Sequence, residues 1–240
     1  MKALIWSWLL LSATAFAQTG FTPIFNGRDL EGWEIDTPGL WQVRDGMLVG
    51  KHSGLKYNDF LRTKKHYRDF ELRLKFRLIA GEGNSGVQFR SKPLPGSHEV
   101  VGYQADIGMQ YWGCLYDESR RKRVLAQASA GSLDGLDKTG WNEYVITARG
   151  NQITLDLNGK RTVDYRESEP GMDVPGFIAL QVALRPRARR RTLGGALPRP
   201  SLRQEARPLR RQARGVPVGL LEALTADSGP GRRARAGGRE

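Results

Sequence analysis

Polar side chains that could act on a ligand alternate with apolar ones along two short segments. In Val87–Arg90 (VQFR) an amide and a guanidinium alternate with apolar residues, and in Tyr103–Ile107 (YQADI) an amide and a carboxylate do so. In a strand, alternate side chains share a face, so Gln88, Arg90, Gln104 and Asp106 are predicted to lie together on one concave face. Amides and guanidinium groups suit sugar hydroxyls, each of which both donates and accepts hydrogen bonds.

Further candidates for this face follow from the same alternation and from neighbouring aromatic residues. Glu71 and Gln181 also fall between apolar residues in strand-like segments. Trp112 and Tyr116 follow Asp106 closely and could offer flat apolar surfaces to a pyranose ring, although aromatic residues in strands are more often part of the core. His52 is a candidate for the edge of the site. None of the three histidines has metal-ligand spacing to a neighbour, so the sequence specifies no metal ligands.

The elements that must position these side chains are predicted to be β-strands. Phe70–Leu78 alternates between apolar and polar residues without exception, as expected for a strand with one buried face. Asn158-Gly159 separates two further strand-like segments and predicts a tight hairpin, and Asp45-Gly46 predicts another. Many short strands joined by such turns predict an all-β fold of two antiparallel sheets packed face to face.

The first seventeen residues have the pattern of a secretory signal peptide. Lys2 precedes a short apolar run that ends at Ala15-Phe16-Ala17, a small-x-small cleavage site. The apolar run is too short to span a bilayer comfortably, so we expect no membrane association beyond this signal. We expect residues 1–17 to be removed and the protein to be secreted or periplasmic.

The positive charge of the chain is concentrated at its C-terminal end. Residues 184–240 contain fifteen arginines, no lysine and four acidic residues, whereas residues 1–183 carry a net charge of only +2. Nucleic acid is therefore not expected as a partner of the body. The segment 183–240 has no aromatic residue and is predicted to be disordered. It is either a basic interaction tail or an out-of-frame translation of GC-rich DNA. The second explanation is favoured because the segment lacks lysine and the other residues whose codons begin with A or T at the first two positions.

The order of the motifs in the body resembles the DUF1080 family, the 3-keto-disaccharide hydrolase domain. The matching segments, in family order, are FNGRDL (25–30), GW (32–33), WQVRDG (41–46), DFEL (69–72), NSGVQFR (84–90), GYQADI (102–107), GCLY (113–116), GWNEY (140–144), LNG (157–159) and GFIALQ (176–181). This resemblance implies that residues 18–182 form one concanavalin A-like jelly-roll domain.

Two departures from the family pattern are visible. The family follows the Leu-Gln of its last motif with a histidine-bearing loop and one more strand, whereas here Val182 leads directly into the arginine-rich tail. Both features are therefore expected to be missing. The acidic residue that the family places just before the glutamine of its Tyr-x-Gln segment is also not evident, and Asp106 is the nearest carboxylate.

The resemblance implies cleavage of 3-keto-glycosides. A ketone at C3 of the sugar acidifies the hydrogen on C2, so a base can remove it, the C1 substituent can leave, and water can add to the enone. Asp106 or Glu71 is expected to be the base, and Arg90 or a divalent metal ion the electrophile. Gln88, Gln104, Trp112, Tyr116, Gln181 and His52 are expected to bind substrate. A non-catalytic, lectin-like module on the same fold is the alternative.

Overall fold

The computed structural model of the chain describes residues 21–52, 56–79, 83–172, 174–183 and 216–227, the last segment and His52 by their main chain. The strands in the first half are β1 Thr22–Pro23, β2 Trp33–Glu34, β3 Trp41–Arg44, β4 Met47–His52, β5 Asp59–Tyr67, β6 Phe70–Leu78, β7 Asn84–Pro93 and β8 Val100–Gly108. Those in the second half are β9 Leu115–Glu118, β10 Arg123–Ala126, β11 Asn142–Arg149, β12 Gln152–Leu157, β13 Lys160–Arg166, β14 Gly176–Val182 and β15 Val216–Asp227.

The strands form two antiparallel sheets that pack face to face. The front sheet has the order β10-β9-β8-β7-β14-β5-β2. The back sheet has the order β13-β12-β11-β6-β15-β4-β3, and β1 pairs with β15. No helix occurs among the described residues, and none there is long and apolar enough to cross a membrane. The prediction of an all-β, two-sheet antiparallel jelly-roll sandwich is confirmed.

The alternation of apolar residues places the core between the two sheets. The five apolar side chains of β6, at positions 70, 72, 74, 76 and 78, are at most 4% exposed. They meet apolar side chains from β7, β8 and β14 in one continuous cluster, as expected for a sandwich whose inner faces interdigitate. The predicted hairpin forms between β12 and β13, with positive φ angles of 52° at Asn158 and 76° at Gly159.

The C-terminal segment departs from the prediction in one respect. Residues 216–227 form β15, which pairs with β6 from Phe70 to Leu78 and with β4 from Val49 to His52. The prediction that the tail does not pack on the body is therefore wrong for this segment, and β15 occupies a strand position between β4 and β6.

The physical reason for β15 is local composition. The segment 216–227 contains no arginine and is mostly apolar, so it differs from the average composition on which the disorder prediction rested. Strands β4 and β6 each present a main-chain edge that such a segment can pair with. The remaining tail residues, 184–215 and 228–240, and the proposed signal peptide, 1–17, lie outside the described residues, so export and the origin of the tail stay predictions.

Candidate functional site

The outer face of the front sheet carries a row of buried polar side chains. On β8, Tyr103, Ala105 and Ile107 join the core, whereas Gln104 and Asp106 face the other side and are only 2% and 3% exposed. On β7, Gln88 lies directly opposite Gln104 across the strand pair and is fully buried. Polar side chains are rarely buried to this extent unless hydrogen bonds compensate for lost hydration.

These side chains satisfy one another's hydrogen-bonding groups in a row of consecutive hydrogen bonds. The Ser91 hydroxyl donates to Gln88 Oε1 at 2.9 Å, and Gln88 Nε2 donates to Gln104 Oε1 at 2.7 Å. Gln104 Nε2 in turn donates to Asp106 Oδ1 at 2.6 Å. Each amide accepts a hydrogen bond through its oxygen from one neighbour and donates one through its nitrogen to the next. This row of hydrogen bonds therefore fixes the orientation of the Asp106 carboxyl group.

Gly86 makes room for this arrangement. It pairs with Asp106 across the two strands, next to the Gln104 side chain. A Cβ atom at position 86 would lie 2.5 Å from Cδ of Gln104, which is closer than any real contact of that kind. A side chain larger than hydrogen would therefore displace Gln104 from Asp106.

A cleft of about 160 Å³ opens over this row. It is lined by two carboxylates, four amides and two phenols: Asp106, Glu118, Asn58, Asn84, Gln104, Gln181, Tyr111 and Tyr116. Among the described residues, no lysine, arginine or histidine lines it. The cleft shares with small-ligand sites its concave shape and its converging polar side chains, although it is smaller and more polar than most of them.

The two carboxyl groups in the cleft both titrate near neutrality. Burial raises the pKa of Asp106 to about 7; the hydrogen bond from Gln104 opposes this rise, and the charge of Glu118 adds to it. Burial, followed by the charge of Glu99, also raises the pKa of Glu118 to about 7. Each carboxyl group can therefore give or take a proton at physiological pH.

Two oxygen atoms at the cleft have no hydrogen-bond partner among the described residues. They are Oδ1 of Asn84, at the start of β7, and Oε1 of Gln181 on β14. Gln181 is only 2% exposed, so bulk water does not compensate for this lost partner. Buried acceptors of this kind are normally satisfied by an ordered water or a ligand.

Arg90 does not join the cleft. A β-bulge between Phe89 and Lys92 interrupts the alternation, and Arg90 itself has a positive φ of 47°. Its guanidinium donates to the carbonyl oxygens of Arg68 and Gly150, at 2.6 and 2.7 Å, and pairs with Asp69 at 2.9 Å. The prediction that Arg90 lies beside Gln104 and Asp106 as the electrophile is wrong. Arg90 instead ties β7 to the β5–β6 and β11–β12 turns.

Replacing Arg90 with methionine is therefore expected to affect stability rather than chemistry. The Arg90 side chain is 1% exposed, and the substitution removes three hydrogen bonds from a charged donor, for a loss of about 2–4 kcal/mol in the free energy of unfolding. Urea denaturation of the variant and the parent measures this loss. A drop in turnover of about 10²-fold or more in variant protein that remains folded would contradict a purely structural role.

Two other predicted site residues lie elsewhere in the fold. Glu71 is on β6 of the back sheet, where it pairs with Arg73 at 2.7 Å on the side of the strand facing away from the core, so it cannot be the base. Trp112 is 3% exposed and stacks on Phe76 within the core, with ring centroids 6.2 Å apart. The tight loop between β8 and β9 turns Trp112 inward and leaves Tyr111 at the cleft.

His52 is the last residue of β4 in the back sheet, and its side chain lies outside the described residues. Its assignment to the edge of the site therefore stays a prediction. Gln88 supports the site through Gln104 rather than lining the cleft. Gln104, Tyr116 and Gln181 do line the cleft.

Several residues that line the cleft were not predicted from the sequence, and Glu118 is the most consequential of them. Glu118 is two positions beyond Tyr116 on β9 and so shares its face, a signal that the same period of two contains. Asn84 likewise precedes Gly86 and Gln88 by steps of two on β7. Asn58, just before β5, has no such signal, because only the fold brings it beside Glu99 and the cleft.

The described residues contain no group of three histidine, cysteine, aspartate or glutamate side chains placed to hold a metal ion. The cleft nevertheless supplies carboxylate and amide oxygens, the donor types that hard divalent cations prefer. Asp106 and Glu118 would be the first residues to hold such an ion. The expectation of a divalent metal stays a prediction.

Solved structures share this fold at low sequence identity. A protein from Parabacteroides distasonis ATCC 8503, whose assignment as a glycosyl hydrolase is provisional, is 16% identical, with a TM-score of 0.55 over 87% of this chain and 94% of that one. The carbohydrate-binding module CBM66 from Bacillus subtilis is 14% identical, with a TM-score of 0.53 over 80% of this chain and 94% of that one. A β-glucanase from Bacillus licheniformis is 11% identical, with a TM-score of 0.54 over 88% of this chain and 100% of that one. These similarities show a common sandwich fold.

No protein with a curated description matches the sequence. A family model does, and its match over residues 20–188 includes strands β1 to β14 and every lining residue of the cleft. The resemblance seen in the order of the sequence motifs is thereby confirmed. The chain belongs to the family of 3-keto-alpha-glucoside-1,2-lyase-like domains, a carbohydrate-related family.

Proposed function

We propose that this domain cleaves 3-keto-glycosides, with Asp106 as the base and Glu118 as the acid. The observation that carries the proposal is the pair of carboxyl groups with raised pKa values in one small, polar cleft. General acid–base catalysis is most efficient when the pKa of each group lies near the working pH. Membership of the 3-keto-alpha-glucoside-1,2-lyase-like family supports this choice of substrate.

The proposed reaction begins at C2 of the sugar. The ionised carboxylate of Asp106 removes the C2 proton, and the electron pair moves to the C3 carbonyl oxygen to form an enolate. The Tyr116 hydroxyl and the amide nitrogens of Asn84 or Gln181 are the donors at the cleft that could stabilise this oxygen. These groups take the role that the sequence had suggested for Arg90.

Elimination then completes the cleavage. The enolate re-forms the ketone, a double bond forms between C1 and C2, and the C1–O bond breaks. The departing oxygen takes a proton from Glu118, which is left ionised. Addition of water across the double bond places hydroxyl on C1 and hydrogen on C2, so that elimination and hydration together amount to hydrolysis.

The two roles follow from the surroundings of each carboxyl group. Asp106 accepts a hydrogen bond from Gln104, which favours its ionised form and suits a base. Glu118 lies in the field of Glu99, which favours its protonated form and suits an acid. Glu99 is held beside the cleft by Nδ2 of Asn58, at 3.1 and 3.2 Å from its two carboxylate oxygens.

The pH dependence of kcat/KM for a 3-keto-glucoside is expected to be bell-shaped, with its maximum near pH 7. Activity falls at lower pH because Asp106 becomes protonated, and at higher pH because Glu118 becomes ionised. The pKa values of both groups are raised to about 7, which places one limb on each side of neutrality. In the Glu118→Gln variant the alkaline limb should disappear. A rate that still rises tenfold per pH unit above pH 8 in the parent would contradict these roles.

The alternative is a non-catalytic carbohydrate-binding module, and the shared fold with CBM66 is compatible with it. The two are distinguished by offering the full chain a 3-keto-glucoside and the matching glucoside, with and without a chelator. An enzyme releases the aglycone from the keto form only. A binding module retains both sugars unchanged, and that result would overturn the proposal.

A further inference from the structure

The charges around the cleft are one-sided. Asp106 and Glu118 line it, and Glu99 lies close enough to raise the pKa of Glu118. Lys122 also acts on Glu118, in the opposite direction, but its effect is smaller than that of Glu99. A ligand in this cleft therefore meets a field of negative sign.

Besides the donors of Tyr116 and of the amide nitrogens, the cleft presents acceptors that lack a partner. Oε1 of Gln181 and Oδ1 of Asn84 are buried acceptors with no partner in the part of the chain that the structure describes, and the ionised carboxylates accept only. The Gln181 side chain is the sharper indication of a ligand, because it is 2% exposed and lines the cleft. A ligand must bring donors to this surface.

Three classes of sugar differ in what they bring. A hydroxyl group both donates and accepts, a protonated amine donates three hydrogen bonds and accepts none, and a carboxylate or phosphate ester accepts only. The protonated amine matches both the charge and the acceptors of this cleft. The carboxylate opposes both. A cleft of about 160 Å³ leaves any charge on one sugar ring within a Debye length, about 8–10 Å, of both carboxyl groups.

We propose that this cleft selects sugars by charge, binding those with a protonated amine more tightly than neutral sugars and rejecting uronic acids and sugar phosphates. The proposal rests on the proposed function only in that the occupant is a sugar. It extends that function from a reaction to a substrate class.

The selection depends on the protonation of the carboxyl pair. Below about pH 5 both groups are protonated, since their pKa values are about 7, and the negative field is largely lost. Among the described residues, the titratable or charged groups that interact with the pair are Tyr111, Cys114, Tyr116, Asp117 and Lys122 on β9 and its flanking loops, Glu99 before β8 and Tyr144 on β11. The segments at β5, β7 and β14 contribute amides. Discrimination by charge should therefore weaken as the pH falls.

The test uses three glucose derivatives that differ only at C6: glucose, 6-amino-6-deoxyglucose and glucuronic acid. Their dissociation constants for the full chain are measured by isothermal titration calorimetry or ligand-observed NMR at pH 8 and pH 5. At pH 8 we expect the amine to bind about tenfold more tightly than glucose, and the acid about tenfold more weakly, as a Coulomb interaction at short range in a partly buried site implies. At pH 5 the three constants should converge to within about threefold.

In the Asp106→Asn, Glu118→Gln double variant, the three dissociation constants should lie within about threefold of one another already at pH 8. The control variant Asp134→Asn, which changes an exposed loop residue outside the cleft, should behave as the parent. Equal affinities of the parent for all three sugars at pH 8, binding of none of them, or an order that survives at pH 5 would overturn the proposal. The pH 5 arm uses the parent protein and so does not depend on the double variant folding. None of the three sugars carries a 3-keto group, so failure of the proposed reaction is detected separately, by turnover of a 3-keto-glucoside.

Discussion

Replacing Asp106 with asparagine is expected to lower kcat/KM for a 3-keto-glucoside by about 10²–10⁴-fold while leaving the fold intact, because loss of a general base typically has this effect. Asparagine keeps the shape of the side chain and can still accept the hydrogen bond from Gln104. It cannot accept the C2 proton. Steady-state kinetics measures the loss, and circular dichroism together with urea denaturation checks the fold.

The matched control is Asp134→Asn, which removes a carboxylate from an exposed loop of the same chain. Its kcat/KM should remain within a few-fold of the parent, since it contacts neither the cleft nor the row of amides. If Asp106→Asn also stayed within a few-fold of an active parent, Asp106 would have no part in the mechanism.

Replacing Asp117 with asparagine is expected to destabilise the protein by about 3–5 kcal/mol, the cost of leaving buried charges without their partner. The Asp117 side chain is fully buried and accepts hydrogen bonds from Arg120, at 2.9 Å, and from Arg121. Arg121 also pairs with Glu167 at 2.7 Å, and Glu167 accepts a hydrogen bond from Tyr103. This network fixes the turn after β9, the strand that presents Tyr116 and Glu118 to the cleft.

The control for this prediction is Asp156→Asn, which breaks the ion pair with Arg161 on the surface. Because the Arg161 side chain is 49% exposed, water screens the pair, and we expect a loss of about 0–1 kcal/mol. Urea denaturation at pH 7 measures both variants. A loss below about 1 kcal/mol for Asp117→Asn would show that the network contributes little to stability.

The sandwich was predictable because its strands follow a local rule. The period of two in β6 and β8 determines which side chains enter the core, and hence that Gln104 and Asp106 leave it. The Asn158-Gly159 hairpin follows from residues that tolerate positive φ. These features depend on neighbours in sequence, so no knowledge of the tertiary structure was needed.

The errors at Arg90 and Trp112 arose where a local rule is interrupted. The β-bulge at Arg90 changes the direction of one side chain, and nothing in Val87–Arg90 itself signals the extra residue. Trp112 enters the core because the loop after β8 is tight, a property of the tertiary fold. The pKa values of Asp106 and Glu118 depend on burial and on Glu99 from another strand connection, which a sequence pattern does not contain.

Removal of the C2 proton in the cleft can be tested directly by one measurement. The full chain is incubated with a 3-keto-glucoside in deuterated water, and the released sugar is analysed by NMR and mass spectrometry at early times against a sample without protein. Elimination followed by hydration predicts one deuterium at C2 of the released sugar, and no release by Asp106→Asn. Release of a sugar that keeps its original hydrogen at C2 would show direct displacement at C1 and would contradict the account.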